Sequence, residues 1–180
     1  DKLDLTSRAF HNDVMGDFLE KLCEFSGYES ALPMNTGAEA VETGIKLARK
    51  WGYDKKKIPA DKAEIIVCGE NFHGRTTTIV GFSDDPDSFE GFGPATPGFK
   101  LIPYDDLEAL KEAITPNTAA FMVEPIQGEA GVKVPSEGYL SGVRKICCDN
   151  NILLIFDEVQ TGFCRTGKRF FWQHEDARPD

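Results

Sequence analysis

This sequence predicts an α/β fold built on a mostly parallel sheet, and three observations carry the prediction. Hydrophobic periodicity switches regularly between helix-like and strand-like segments along the 180 residues. Four short apolar runs, "EIIVCG", "FKLIPY", "AAFMVEP" and "ILLIFDE", are nearly continuous rather than alternating, which is the pattern of strands covered on both faces. Helical segments separate those runs, as βαβ units require.

The elements follow in order. "TSRAFHNDVMGDFLEKLCEFSG" is expected to be helical, opening on a Thr6/Ser7 cap. It would place Phe10, Val14, Phe18, Leu22 and Phe25 on one stripe and end at Gly27. "TGAEAVETGIKLARKWGY" is a second helix with a small-residue start. "YDDLEALKEAI" and "SEGYLSGVRKICCDN" supply helices between later strands. "IVGFSDDPDSFEGFGPATPGF" is rich in Gly and Pro and too long for a simple turn, and such stretches usually serve function or an interface. The sequence shows no linker, low-complexity run or internal repeat.

Composition narrows the function. Thirty acidic against twenty basic residues give a formal net charge of −10, which argues against nucleic acid or an anionic membrane surface as the main partner. No apolar run approaches the roughly 18 residues that span a bilayer. The opening "DKLDLTSRAF" resembles neither a signal peptide nor a basic transit segment. Five cysteines without C-x-x-C spacing and three dispersed histidines argue against a metal site and for reduced thiols in an intracellular protein, with the cytoplasm as the expected compartment and the mitochondrial matrix as the alternative.

The chemistry begins at "ILLIFDEVQTG", where two carboxylates, Asp157 and Glu158, close a buried run. A carboxylate at the end of a buried strand needs a partner. Two chemistries place an acid there. In a nucleotide-hydrolysing enzyme an apolar run followed by Asp-Glu holds magnesium, and "GFCRTGKR" approaches a phosphate loop; however, it follows the strand instead of preceding it and ends in Arg169, not Ser or Thr. In a pyridoxal phosphate enzyme the aspartate pairs with the protonated pyridine nitrogen. That cofactor also needs an anion cradle, and "NTGAEA" leads small residues into a helix N-terminus, where ordinary capping is the competing explanation.

Taken together, "PMNTGAEAVETGIKLARKWGY", "NFHGRT", "FGPATPGF", "MVEPIQGEAGV" and "DEVQTGFCRTG" resemble, in order and nearly end to end, the class III, fold type I pyridoxal-phosphate aminotransferases. The resemblance implies a three-layer α/β/α fold, with residues 1–180 forming the central part of the large cofactor-binding domain. The "EAVETGIKLARKWGY" and "GFGPATPGF" blocks are similar to the ornithine-type branch, while "DEVQTG" and "VEPIQGE" are shared with acetylornithine- and 4-aminobutyrate-type members.

Carried over residue by residue, the resemblance implies that the backbone at Thr36, Gly37 and Ala38 binds the cofactor phosphate and that Phe72 stacks on the ring. Asp157 would pair with the ring nitrogen, Val159 would cover the opposite face, and Gln160 would hydrogen-bond the ring hydroxyl. Arg75 is similar to the arginine that clamps the substrate carboxylate, a task suited to a planar bidentate donor. Glu129 resembles a glutamate that pairs with a second arginine and swings aside between half-reactions, and Glu124 would support the site from its strand end. Without the motif, Phe72 reads as a core residue and Arg75 as a surface ion-pair partner. His73 departs from the ornithine-type motif and resembles the acetylornithine-type "FHGR". The family implies amino-acid and 2-oxo-acid substrates and a homodimer or higher homo-oligomer. Its Schiff-base lysine, the N-terminal segment, the C-terminal small domain and a threonine lent by a neighbouring subunit are expected outside this segment. A non-catalytic cofactor-binding or dimerisation module is therefore the competing reading for the segment alone.

Overall fold

The computed structural model describes residues 10–180, which fall into two compact units divided between Pro33 and Met34. Among the described residues the first contains one helix, α1 (Met15–Ser26), closed by Gly27 in the left-handed conformation. The proposed Thr6/Ser7 cap lies outside the described residues, and the helix begins later than the apolar stripe suggested. Asn12 Oδ1 accepts the Val14 amide at 2.9 Å, an Asx turn that fixes the start one turn of stripe downstream. Phe10 and Val14 consequently precede the helix.

The second unit carries α2 (Gly37–Asp54), β1 (Glu64–Cys68), two single-turn helices α3 (Thr77–Val80) and α4 (Pro86–Phe89), β2 (Phe99–Ile102), α5 (Leu107–Ala113), β3 (Thr118–Val123), α6 (Tyr139–Asp149), β4 (Leu153–Phe156) and a closing 3₁₀ turn (Phe171–His174). The four expected strands are present and all pair in parallel, in the order β2-β1-β3-β4. Their alternation sorts side chains into two layers. Ile65, Val67, Ala120 and Met122 pack under α2 against Val41, Ile45 and Ala48. Ile66, Cys68, Phe121, Val123 and Leu154 face the other way, onto Leu110 of α5 and Leu140, Val143 and Cys147 of α6. The result is the three-layer α/β/α arrangement, and each fully buried aliphatic side chain contributes about 1.5–3 kcal/mol to it.

Burial is unequal among the strands. β1 and β3 are buried almost throughout, whereas β2 and β4, expected to be buried as well, keep partly exposed positions such as Leu101. Among the described residues each of these two pairs with one neighbouring strand only, which leaves a flank uncovered. Local sequence explains the helix starts. Thr36 Oγ1 accepts the Glu39 amide at 3.1 Å, and Asp106 Oδ1 accepts the Ala109 amide at 2.8 Å. The same device recurs at Thr76, which caps α3 on the approach to the long Gly/Pro-rich stretch, and at Asp85 within it, which caps α4. No helix among the described residues is long and apolar enough to cross a membrane.

Candidate active site

Strand order locates the site. After β1 the chain moves outward to β2, then returns across β1 to β3, so the loops leaving β1 and β3 diverge at their carboxyl ends. Such a switch point opens a crevice in a parallel sheet. A cavity of about 350 Å³ lies there, lined by the first turn of α2, the loop after β1, the end of β3 and the segment after β4.

Each lining element is positioned by backbone. The Asp157 amide donates to Val123 O at 3.0 Å, extending the β3–β4 ladder by one residue and presenting the side chain beyond the strand. The loop after β1 is tied to β3 by the Phe72 amide, which donates to Glu124 Oε2 at 3.0 Å. It is tied to α2 by Thr76 Oγ1, which donates to Glu42 Oε1 at 2.5 Å. Gly74 makes the closest approach: at φ +125° it lies where a Cβ would stand 2.8 Å from Ala38 Cβ. Both the backbone conformation and the contact require glycine.

Nine of the ten residues singled out from the sequence line this one cavity: Thr36, Gly37 and Ala38 at the start of α2, Phe72 and Arg75 from the β1 loop, Glu124 just past β3, and Asp157, Val159 and Gln160 after β4. Glu129 is outside the lining but joined to it, accepting from Gln160 Nε2 at 3.2 Å. Arg75 is exposed, with its guanidinium carbon 4.9 Å from the Phe72 ring centroid, within cation–π range.

Sequence reasoning missed the residue that meets Asp157. His73 Nδ1 lies 2.7 Å from Asp157 Oδ2, with both side chains almost completely buried. The one signal was the motif departure at His73, and nothing local connects residues 84 positions apart. Asp157 Oδ1 accepts the Val159 amide at 3.1 Å. Glu124 stands beside this pair. Burial pushes its carboxyl up to about 7, with Asp157 and Glu129 adding to the rise and the Phe72 amide and His73 opposing it.

Glu158, the neighbour of Asp157, takes a different role. Its carboxylate accepts the amides of Phe171 at 2.6 Å and Trp172 at 3.1 Å and the Thr161 hydroxyl at 2.9 Å, which holds the closing 3₁₀ turn. Lys168 donates to Gln173 O at 2.6 Å within the same segment. Neither lines the cavity. The segment does not connect a strand to a helix as a phosphate loop does, so the magnesium-nucleotide alternative finds no support here.

The class III aminotransferase model matches residues 1–180, and the chain belongs to that family. The chain is 61% identical over its whole length to an ornithine aminotransferase of Brevibacillus brevis and covers 45% of that protein. It is 58% identical to a mitochondrial ornithine aminotransferase of Drosophila ananassae, with 99% of this chain and 42% of that protein aligned. Among solved structures, the ornithine aminotransferase of Toxoplasma gondii superposes with a TM-score of 0.96 at 52% identity, covering 98% of this chain and 42% of that one. An acetylornithine aminotransferase from Elizabethkingia anophelis gives 0.84 at 56%, covering 99% and 44%. The chain thus spans a little under half the length of the curated relatives it matches.

The family's cofactor is pyridoxal 5'-phosphate, and the cavity's residues fit it. The Gly37 and Ala38 amides have no acceptor within the helix and sit at the positive end of α2, as an anion requires. A Cβ on Gly37 would stand 3.0 Å from a Val159 methyl, so any side chain there would have to displace Val159, while the backbone donor needs no such room. An aromatic ring, an aliphatic side chain and an acid supply the remaining features of a heteroaromatic site.

Proposed function

We propose that the full-length protein containing this chain is a pyridoxal-phosphate-dependent aminotransferase that moves the δ-amino group of L-ornithine to 2-oxoglutarate, giving glutamate 5-semialdehyde and glutamate. The observation that carries the reading is the convergence, at one sheet switch point, of an anion-binding helix start, a stacking aromatic and a strand-end aspartate. Bound there, the cofactor supplies an electron sink for the carbon that loses a proton.

The chain's own residues then divide the remaining work. Gly37 and Ala38 hold the phosphate by backbone amides, while Phe72 and Val159 restrict the ring to one plane. Gln160 reaches the ring hydroxyl. Asp157 holds a proton on the ring nitrogen, its negative charge offsetting the positive one. Arg75 clamps the substrate carboxylate at the cavity mouth, and Glu129 takes the second, exchangeable position through its bond with Gln160. Glu124 closes the buried side. Among the described residues no lysine lines the cavity, so the reacting amine is assigned to the parent protein outside this segment. The segment is assigned to the large cofactor-binding domain. A homodimer or higher homo-oligomer in the cytoplasm accords with the same reading, as does one in the mitochondrial matrix, the fly relative being a mitochondrial ornithine aminotransferase. So does a product that links arginine metabolism to proline biosynthesis.

An acetylornithine-type donor is the second reading, favoured by His73 and by the likeness to the acetylornithine aminotransferase structure. Assaying the full-length protein with ornithine, N-acetylornithine and 4-aminobutyrate, each against 2-oxoglutarate, separates the readings. Ornithine is expected to give the highest kcat/KM, and a clear preference for either other donor would reassign the substrate.

A further inference from the structure

We infer that His73 is a positioning residue whose Nδ1–H locks the Asp157 carboxylate so that its remaining lone pairs face the cavity, an inference that rests on the cavity being a pyridoxal phosphate site. A carboxylate only accepts hydrogen bonds, so Nδ1 carries the proton in the 2.7 Å contact. The terminal torsion of an aspartate is broad. Without His73, the protein bond left to Asp157 is the local one from the Val159 amide to Oδ1, two residues away. His73 reaches Oδ2 from the β1 loop and thereby fixes the carboxylate plane against a second strand end.

Two features argue against a packing role alone. The His73 side chain is fully buried, and its Nε2 finds no partner among the protein atoms. An apolar ring would avoid that cost against the neighbouring Phe82, whose ring centroid lies 6.1 Å away. The choice of donor is also specific to the task. An Arg or Lys here would bring a permanent charge onto Asp157 and compete with a ring-nitrogen cation, whereas an imidazole supplies an N–H without one.

The test uses apoprotein of the full-length enzyme titrated, by fluorescence, with pyridoxal 5'-phosphate and with its 1-deaza analogue, in which the ring nitrogen is replaced by CH. In His73→Phe, affinity for the natural cofactor is expected to fall about tenfold or more, the size of one charge-assisted hydrogen bond. Affinity for the deaza analogue should stay within about twofold of wild type, because that ring has no nitrogen for Asp157 to hold. His73→Asn, which restores a donor near the Nδ1 position, should recover most of the loss. Equal losses for both ligands, or no loss for either, would overturn the inference. If His73→Phe does not fold, His73→Asn is compared with His73→Gln, whose longer side chain displaces the donor; a ligand-selective defect is expected in Gln alone, and matching behaviour of the two overturns the inference. Wild-type protein that binds neither ligand would instead overturn the cofactor reading itself.

Discussion

The cavity at the ends of β3 and β4 and the turn segment that follows it are built from the same residue types, yet they use them in opposite ways. In the turn, Glu158 accepts three protein hydrogen bonds and Lys168 is docked on a carbonyl. In the cavity, Glu124 is buried with a raised pKa, Arg75 is exposed over an aromatic ring, and His73 keeps an unmatched nitrogen. Polar groups whose capacity is used up within the chain hold structure. Those left with capacity to spare around a cavity are poised for something that is not protein.

The largest expected effect tests the buried side of the cavity. Glu124 ionises near 7 in the folded protein and near 4.5 when exposed. Its folded pKa is raised, so the stability it contributes is fully present below 4.5 and is lost as pH rises through 7. The linkage amounts to about 3 kcal/mol. Relative to wild type, Glu124→Gln apoprotein should therefore gain stability steadily between pH 4.5 and 7 in urea unfolding. A constant offset across that range would show that Glu124 is already satisfied, like Glu158. Next comes Asp157→Ala in the full-length enzyme, which should lower kcat by about ten- to hundredfold and alter the visible spectrum, with a smaller effect on KM.

Glu158→Ala should do the reverse. It strands two amides and a hydroxyl, so stability should fall by about 2 kcal/mol while the activity of the folded fraction persists. If Glu158→Ala abolished turnover at full stability, the division between the two regions would fail. A more modest change is expected for Arg75→Ala, namely weaker use of substrate by about tenfold in kcat/KM with an unaltered cofactor spectrum. Smallest of all is Lys168→Ala, which should leave activity within about threefold, with magnesium chelation having no effect; one surface contact is worth little. Loss of activity from either treatment would move the chemistry into the turn.

Legibility in the sequence followed the range of the interactions. β1 to β4, α2, α5 and α6 could be read because apolar runs and caps act over a few residues, and Asp157 and Glu124 could be read because acids ending such runs are costly. The start of α1 was misplaced because an Asx turn at Asn12 competes with an equally plausible Ser/Thr start. The partial exposure of β2 and β4 depends on strand order, which no single run encodes. The His73–Asp157 contact and the capture of the Phe171 and Trp172 amides by Glu158 join distant segments, so the protein partners of the adjacent acids at 157 and 158 could not be read from the sequence.

Gly74 gives the site a fixed gauge length. Because the β1 loop rests on Ala38 with only the alanine methyl between, the spacing from the α2 amides to Phe72 is set by backbone and one rotamer-free methyl and not by any adjustable side chain. Tuning this cavity toward a bulkier or smaller ring by substitutions elsewhere in its lining will therefore meet a hard stop at Gly74. Variants selected for altered cofactor size should leave that residue untouched and accumulate changes on the opposite wall, at Val159 and Gln160.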